Sequence, residues 1–323
     1  MVAAIRVHEL GGPEVLRYEQ VDVGEPGPDD IRIEQHACGV NFIDTYFRTG
    51  LYPTAVPFVP GSEGAGVVTA VGEAVSDLAV GDRVAYAGGL GGYSAARLLP
   101  ADRAVKLPDT ISYAQAAAVM LKGMTAQYLL RRTFKIERGA TILIHAAAGG
   151  VGLIMCQWAN ALGATVIATV GSRQKAELVM SNGAHHAILY REEDFAARVK
   201  TITNGALCDV VYDGVGKDVF PASLDCIRPL GMYVNFGNAS GPVPPFPLLL
   251  LSQKGSLFAT RPTLTTYTAK RADLVATAAD LFEIVQRGVV NVVLDHVYKL
   301  EDAAQAQRDL EARKTTGSLV LTP

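Results

Sequence analysis

The residues best suited to chemistry lie in one short stretch, His145-Ala146-Ala147-Ala148-Gly149-Gly150-Val151-Gly152. An apolar run, Thr141 to Ile144, leads into it, and an amphipathic run, Val151 to Leu162, leads out. Strand, small-residue turn and helix in that order suit a dinucleotide pyrophosphate. Against the G-x-G-x-x-G fingerprint the first glycine is replaced, giving Ala147-x-Gly149-x-x-Gly152. Alanine turns as tightly provided its φ stays negative. Gly149 lets the backbone approach the pyrophosphate, and Gly152 lets the helix lie close on the sheet. The amides of Gly150, Val151 and Gly152, with Ala148 beside them in the turn, then face the phosphates, helped by the helix dipole. A tight strand-to-helix turn holding nothing would look alike; the run of strand–helix units that follows favours the ligand.

The end of the next strand narrows the ligand. NAD-binding versions place Asp or Glu about 20 residues on, gripping the ribose 2′-hydroxyl. Here the chain reads Ala168-Thr169-Val170-Gly171-Ser172-Arg173-Gln174-Lys175, and no acid appears before Glu177. Ser172, Arg173 and Lys175 lie where a 2′-phosphate would sit, and guanidinium and ammonium groups attract it. The two cations could be only the solvated face of a helix start. Bases are not favoured there by the dipole, however, so a phosphate supplies the better reason. The choice is NADPH over NADH.

The elements that must hold these residues fall into two patterns, and 323 residues exceed one comfortable core. The first part reads as short strands such as Ile31 to Glu34, Gly66 to Val71 and Arg83 to Ala85, punctuated by Gly and Pro. A helix from Ser112 to Leu130 follows, with Ser112 as N-cap. From Thr141 strands and helices alternate. Strands are expected at Thr141–His145, Thr165–Val170, Ala187–Tyr190, Asp209–Asp213, Gly231–Phe236 and Ser256–Thr260. Helices are expected at Val151–Leu162, Arg173–Asn182, Phe195–Thr203 and Asp218–Cys226. Such alternation means a doubly wound parallel sheet. After Arg261-Pro262 come a helix Ala272–Arg287, a strand Val289–Val293, a helix Glu301–Ala312 and a strand Ser318–Leu321. The tail is expected to return to the first domain. The fold class is therefore α/β, with a β-rich domain over 1–122 and 262–323 and an inserted nucleotide domain over 123–261.

Bulk composition excludes several classes. The net charge is −3 with signs interspersed, so no nucleic-acid arm or membrane patch is expected. The N-terminus lacks a signal-peptide pattern, and Leu248 to Leu251 is far too short to span a bilayer. Four scattered cysteines, Cys38, Cys156, Cys208 and Cys226, show no C-x-x-C spacing, which suits a reducing compartment. A cytoplasmic protein is expected.

Further motifs resemble the medium-chain dehydrogenase/reductase superfamily, and within it the zinc-independent, zeta-crystallin-like NADPH:quinone oxidoreductases. They are Gly39-Val40-Asn41-Phe42-Ile43-Asp44-Thr45-Tyr46, Gly50-Leu51-Tyr52-Pro53 and Pro60-Gly61-Ser62-Glu63-Gly64-Ala65-Gly66. Tyr212-Asp213-Gly214-Val215-Gly216, Phe236 to Gly241 and Thr315-Thr316-Gly317-Ser318 continue the match, which spans essentially the whole chain. The resemblance implies a GroES-like β-rich catalytic domain with an inserted Rossmann domain. Zinc enzymes of the superfamily carry a Cys after Gly-Val and a Gly-His-Glu triplet. This chain has Asn41 and Ser62 there, so no metal is expected. The same resemblance places Asn41, Tyr46 and Tyr52 at the nicotinamide and substrate. It places Thr125 near the nicotinamide, Tyr190 at the adenosine end and Phe236-Gly237-Asn238 after the fifth strand. Arg261 and Arg313 could reach phosphates, although surface ion pairs suit them nearly as well. Core packing is the alternative for Asn41, Tyr46 and Tyr52.

Without a Lewis acid the substrate must accept hydride readily. A quinone does so, and an activated alkenal or enoyl thioester does so too; in both, charge develops on oxygen and needs hydrogen-bond donors. The expected function is NADPH-dependent quinone reduction, with reduction of activated C=C bonds as the rival and an NADPH-binding structural or RNA-binding protein as the alternative of another class. A homodimer through the sheet edge near Ser256–Thr260 is expected. Plainer readings suit other residues: His145 as a satisfied core histidine, His185-His186 as a loop, Cys38 as a small buried hydrophobe, and Arg191 to Asp194 as a solvated helix start.

Overall fold

The computed structural model describes residues 1–294 and 296–323. Two compact units divide the chain: Met1–Met124 with Thr268–Arg287 and Val292–Pro323, and Thr125–Tyr267 with Gly288–Asn291.

In the first unit β1 (Val2–Val7) pairs antiparallel with β2 (Leu16–Val21). β3 (Asp30–Val40) is the strand on which the main sheet is built. It pairs antiparallel with β4 (Glu63–Val71), and β4 with β5 (Arg83–Ala87). β6 (Ala96–Pro100) lies antiparallel to β3, and β7 (Ala104–Lys106) to β5. Alternation along β3 sends Ile31 and Ile33 inward, where they meet Val68, Val84, Tyr86 and Leu99. Gln35 shares this inner face and is satisfied there, its amide donating to the carbonyls of Gly92 at 2.9 Å and Ser94 at 2.7 Å. Two helices complete the front of the chain, α1 (Phe42–Arg48) and α2 (Tyr113–Tyr128). Ser112 caps α2 as expected, exchanging hydrogen bonds with Gln115. The expected helix end at Leu130 is instead a π-helical turn, Leu129–Thr133, whose Leu129 carbonyl accepts from the Tyr212 hydroxyl at 3.0 Å.

The second unit holds β8 (Thr141–Ile144), β9 (Thr165–Val170), β10 (His186–Leu189), β11 (Cys208–Asp213), β12 (Ile227–Asn235) and β13 (Phe258–Thr260). Every pairing is parallel and the order is β10-β9-β8-β11-β12-β13. Numbered within the unit this is 3-2-1-4-5-6, the Rossmann order. Helices α3 (Gly150–Ala161), α4 (Arg173–Ser181) and α5 (Phe195–Ile202) cover it, followed by the short α6 (Leu249–Gln253) and α7 (Leu264–Tyr267). The chain then forms α8 (Arg271–Gln286), β14 (His296–Lys299), α9 (Ala303–Glu311) and β15 (Leu319–Thr322). β15 pairs antiparallel with β3, so the tail does return to the first sheet.

Three sequence expectations need correction. The helix expected at Asp218–Cys226 forms only a 3₁₀ turn, Ala222–Cys226, because Pro221 brings no N–H to a helical ladder. The strand expected at Val289–Val293 does not form. The Gln157 amide takes both backbone groups of Asn291, donating to its carbonyl at 3.2 Å and accepting from its N–H at 2.8 Å. His186 opens β10 instead of lying in a loop, and the His185 ring accepts from the Val166 N–H at 3.1 Å.

His145 is the satisfied core histidine that was expected. It is buried between the Thr169 and Ser223 hydroxyls, each 2.9 Å from a ring nitrogen. Burial holds its pKa down to about 4, outweighing the upward pull of Asp213. Between an unfolded value near 6.5 and this folded one, the unfolded chain binds more protons. Stability is thus complete above pH 6.5 and falls as the pH drops toward 4, by roughly 3 kcal/mol from this group. In His145→Gln the midpoint of urea unfolding should fall less steeply over that window than in the parent; equal slopes would overturn the assignment.

Candidate functional site

In the second unit parallel pairing puts the carboxyl ends of all the strands along one edge of the sheet. There the turn after β8 leaves Ala147 out of the left-handed region, as its place in the fingerprint requires. The neighbouring Ala146 takes that conformation instead, at φ 52°. A Cβ on Gly152 would stand 2.5 Å from the Ala147 carbonyl oxygen, so glycine is what lets α3 start against the turn. Gly149 precedes the helix without a side-chain cap, leaving the first-turn amides of Gly150, Val151 and Gly152 unspent within the helix.

Ser172, Arg173 and Lys175 open α4 at the end of β9. The Ser172 hydroxyl caps the helix by accepting from the Lys175 N–H. Arg173 is strongly exposed and lies 3.8 Å from the exposed Glu192, a surface pair worth little. Tyr190 follows β10 and its hydroxyl would stand 3.0 Å from a Cβ on Gly171, so ring and cations gather at neighbouring strand ends. After β11 the buried Asp213 saturates its carboxylate, accepting from the amides of Val215 at 2.7 Å and Gly216 at 2.9 Å. It also accepts from the Tyr233 hydroxyl at 2.5 Å and the Asn235 amide at 3.1 Å. The Phe236 N–H returns to the Asp213 carbonyl, which sets the Phe236-Gly237-Asn238 loop beside Gly214. Arg261 follows β13, and Thr125 is buried on α2. The edge thus gathers hydrogen-bond donors, cations and close-approach glycines, the donor set that a dinucleotide phosphate requires.

Arg313 lies in the other unit, just past α9, at φ 58°. Asn41, Tyr46 and Tyr52 lie in that unit too. Asn41 follows β3 and is the N-cap of α1, and the Asp44 carboxylate reaches back to its N–H at 2.9 Å. Tyr46 and Tyr52 meet edge to face with centroids 5.3 Å apart, and the Tyr52 N–H donates to the Tyr46 carbonyl at 3.0 Å.

Around these three the structure adds polar groups that sequence reasoning missed. Glu63 is wholly buried. It accepts from the Asn41 Nδ2 at 2.8 Å and the Leu121 N–H at 2.7 Å, and it pairs with the Lys122 ammonium. A Cβ on Gly39 would overlap its carboxylate, which explains the glycine two residues before Asn41. Asp44, also wholly buried, accepts from Ser62 Oγ at 3.0 Å and Tyr93 OH at 2.8 Å. Burial pushes its pKa up to about 6, with the Glu63 charge adding to the rise and the three donors opposing it. Behind Tyr93, Gln307 bonds Arg48, whose buried guanidinium pairs with Glu311 at 2.7 Å. Cys38 is the buried hydrophobe expected, its thiol pushed up to about 12 by burial.

These residues do not suit zinc. Asn41 donates to Glu63, Ser62 donates to Asp44, and Glu63 is neutralised by Lys122. Among the described residues no three His, Cys, Asp or Glu side chains converge as a ligand set.

Comparison with known proteins agrees with both units. Residues 27–109 match the alcohol dehydrogenase GroES-like domain, and residues 150–273 match the zinc-binding dehydrogenase domain. A quinone oxidoreductase of Pseudomonas aeruginosa is 52% identical, with all of both chains aligned. A 2-haloacrylate reductase of a Burkholderia species is 46% identical over 100% of this chain and 99% of its own. The crystal structure of Escherichia coli quinone oxidoreductase complexed with NADPH superimposes with a TM-score of 0.98 at 47% identity, covering 99% of this chain and all of that one. The expected α/β architecture, a GroES-like domain with a Rossmann-type parallel sheet, is thereby established. With such identity along its whole length and both domain families matched in place, the chain belongs to the quinone oxidoreductase family of the medium-chain dehydrogenase/reductase superfamily.

Proposed function

We propose that the chain reduces quinones with NADPH and without a metal. The observation that carries this reading is the basic carboxyl edge of the 3-2-1-4-5-6 sheet, in a chain alike along its whole length to quinone oxidoreductases. Bound NADPH would supply the hydride. Ala148, Gly149, Gly150, Val151 and Gly152 hold the pyrophosphate on amides at the start of α3. Ser172, Arg173, Lys175 and Tyr190 hold the adenosine 2′-phosphate, and Phe236, Gly237, Asn238 and Thr125 hold the nicotinamide end. Arg261 and Arg313 give further charge toward phosphate. Asn41, Tyr46 and Tyr52 position nicotinamide and quinone, the tyrosines by flat apolar faces and neutral donors, Asn41 by its amide. Catalysis is then positioning together with donors to the developing oxyanion.

The second reading, reduction of activated C=C bonds, draws support from the likeness to a 2-haloacrylate reductase. Stopped-flow NADPH oxidation against quinones, alkenals, haloacrylates and enoyl thioesters separates them. Quinones should give the highest kcat/KM, and a clear preference for any C=C acceptor would overturn the first reading.

The phosphate assignment has a separate test. Charge-assisted hydrogen bonds are worth about 1.5–3 kcal/mol each, so Arg173→Ala with Lys175→Ala should weaken NADPH roughly a hundredfold or more. NADH binding should barely change; equal losses would refute the assignment.

We further propose a cytoplasmic homodimer. Four free, buried cysteines fit a reducing compartment, and no helix among the described residues is long and apolar enough to cross a membrane. β13 is the edge strand of its sheet, exposed throughout, with Phe258 58% exposed. Exposed edges of this kind seek partners. Sedimentation at micromolar concentration should give twice the 34.2 kDa chain mass; a single-chain mass would sink the dimer.

A further inference from the structure

We propose that Asp44 and Ser62 form the proton source of the reduction, Asp44 protonating the Ser62 hydroxyl as that hydroxyl gives its own proton to the substrate oxygen. The inference rests on the reductase reading above, which leaves the proton unassigned.

Donor and acceptor accounting around Asp44 carries it. Its Oδ1 accepts from Ser62 Oγ at 3.0 Å. Its Oδ2 accepts from the Asn41 N–H at 2.9 Å and from Tyr93 OH at 2.8 Å. A protonated Asp44 must turn one of these three bonds around. An amide N–H cannot accept. Tyr93 has the Gln307 amide donating to its oxygen at 3.5 Å, while the Gln307 carbonyl is taken by Arg48, so the phenolic hydrogen has no second acceptor in that direction. Ser62 has no such block. A hydroxyl both donates and accepts, and among the described residues its hydrogen bond is to Asp44 alone. Once it accepts from Asp44, its own hydrogen must point elsewhere. One carboxyl group anchors both Ser62 and the Asn41 backbone, so that hydrogen is released beside the residue proposed to position the substrate.

The charged groups facing Asp44 are already paired with one another, and the other titratable groups there are held by burial. Glu63 is held by Lys122. Arg48 is held by Glu311 and Gln307. Burial keeps the Cys38 thiol and the Tyr93 phenol protonated. Asp44 itself is raised to about 6.

The balance is simple. A quinone gains one hydride, carrying two electrons, and one proton, and becomes a hydroquinone. The Ser62 O–H bond breaks as the substrate O–H bond forms, and the Asp44 proton restores Ser62. The carboxylate left behind keeps its three donors, and water reprotonates it through Ser62 once the product leaves.

The test pairs Ser62→Ala with Asp44→Asn and reads both spectrum and rate. Infrared difference spectra of the free protein should show a buried carboxyl band titrating near pH 6, absent in Asp44→Asn and shifted in Ser62→Ala. Parent kcat should fall as the pH rises above about 6. Ser62→Ala should lower kcat roughly a hundredfold, the usual scale of general-acid loss, remove that fall, and leave KM for NADPH unchanged. Ser62→Thr should restore the rate and profile. An active parent whose kcat and pH profile survive in Ser62→Ala overturns the proton source alone, as does the absence of a titrating carboxyl band. A parent inactive toward every quinone and C=C acceptor overturns the reductase reading with it.

Discussion

A carboxylate taken wholly out of water must have its lone pairs filled, and that requirement organises both halves of this molecule. Glu63 satisfies it with Asn41, Leu121 and Lys122, and so ties the end of β3, the start of β4 and the helix α2 to one point. Asp44 satisfies it with Asn41, Ser62 and Tyr93. Asn41 is thus fixed twice, by its backbone and by its side chain, before any ligand arrives. Asp213 does the same for the loop after β11 and the carboxyl end of β12. Removing one partner of a buried charge costs about 3–5 kcal/mol, since the other is left uncompensated.

The parallel sheet imposes a second constraint. Because its strands all point one way, their carboxyl ends share an edge, and residues far apart in sequence become neighbours in function. Ala147, Ser172, Tyr190, Asp213 and Phe236 reach that edge through five different strands. Close approach there depends on glycines at Gly152 and Gly237, where a Cβ would strike backbone at 2.5 Å.

Much of this was legible in the sequence because it is local. The strand–turn–helix at Thr141 to Leu162, the cap at Ser112 and the basic start of α4 each declare themselves within a few residues. One failure has a local cause, Pro221 interrupting a helical pattern; another has a distant one, Gln157 satisfying the backbone of Asn291 from 134 positions away, where a strand was expected. The site of the first unit was half legible. Asn41 followed by Asp44 has the spacing of a capping box. Nothing near Glu63 points to Lys122, and nothing near Arg48 points to Gln307 or Glu311, because those pairings are made by the fold across long separations.

Lys122 has a consequence of its own. The positive charge that neutralises Glu63 is tethered to the backbone by a four-carbon arm, so it is part of the chain and not a dissolved ion. It cannot be diluted away or stripped by a chelator. Assembly of this corner of the fold is therefore independent of the ion supply around the nascent chain, and every copy leaves folding with its internal cation in place.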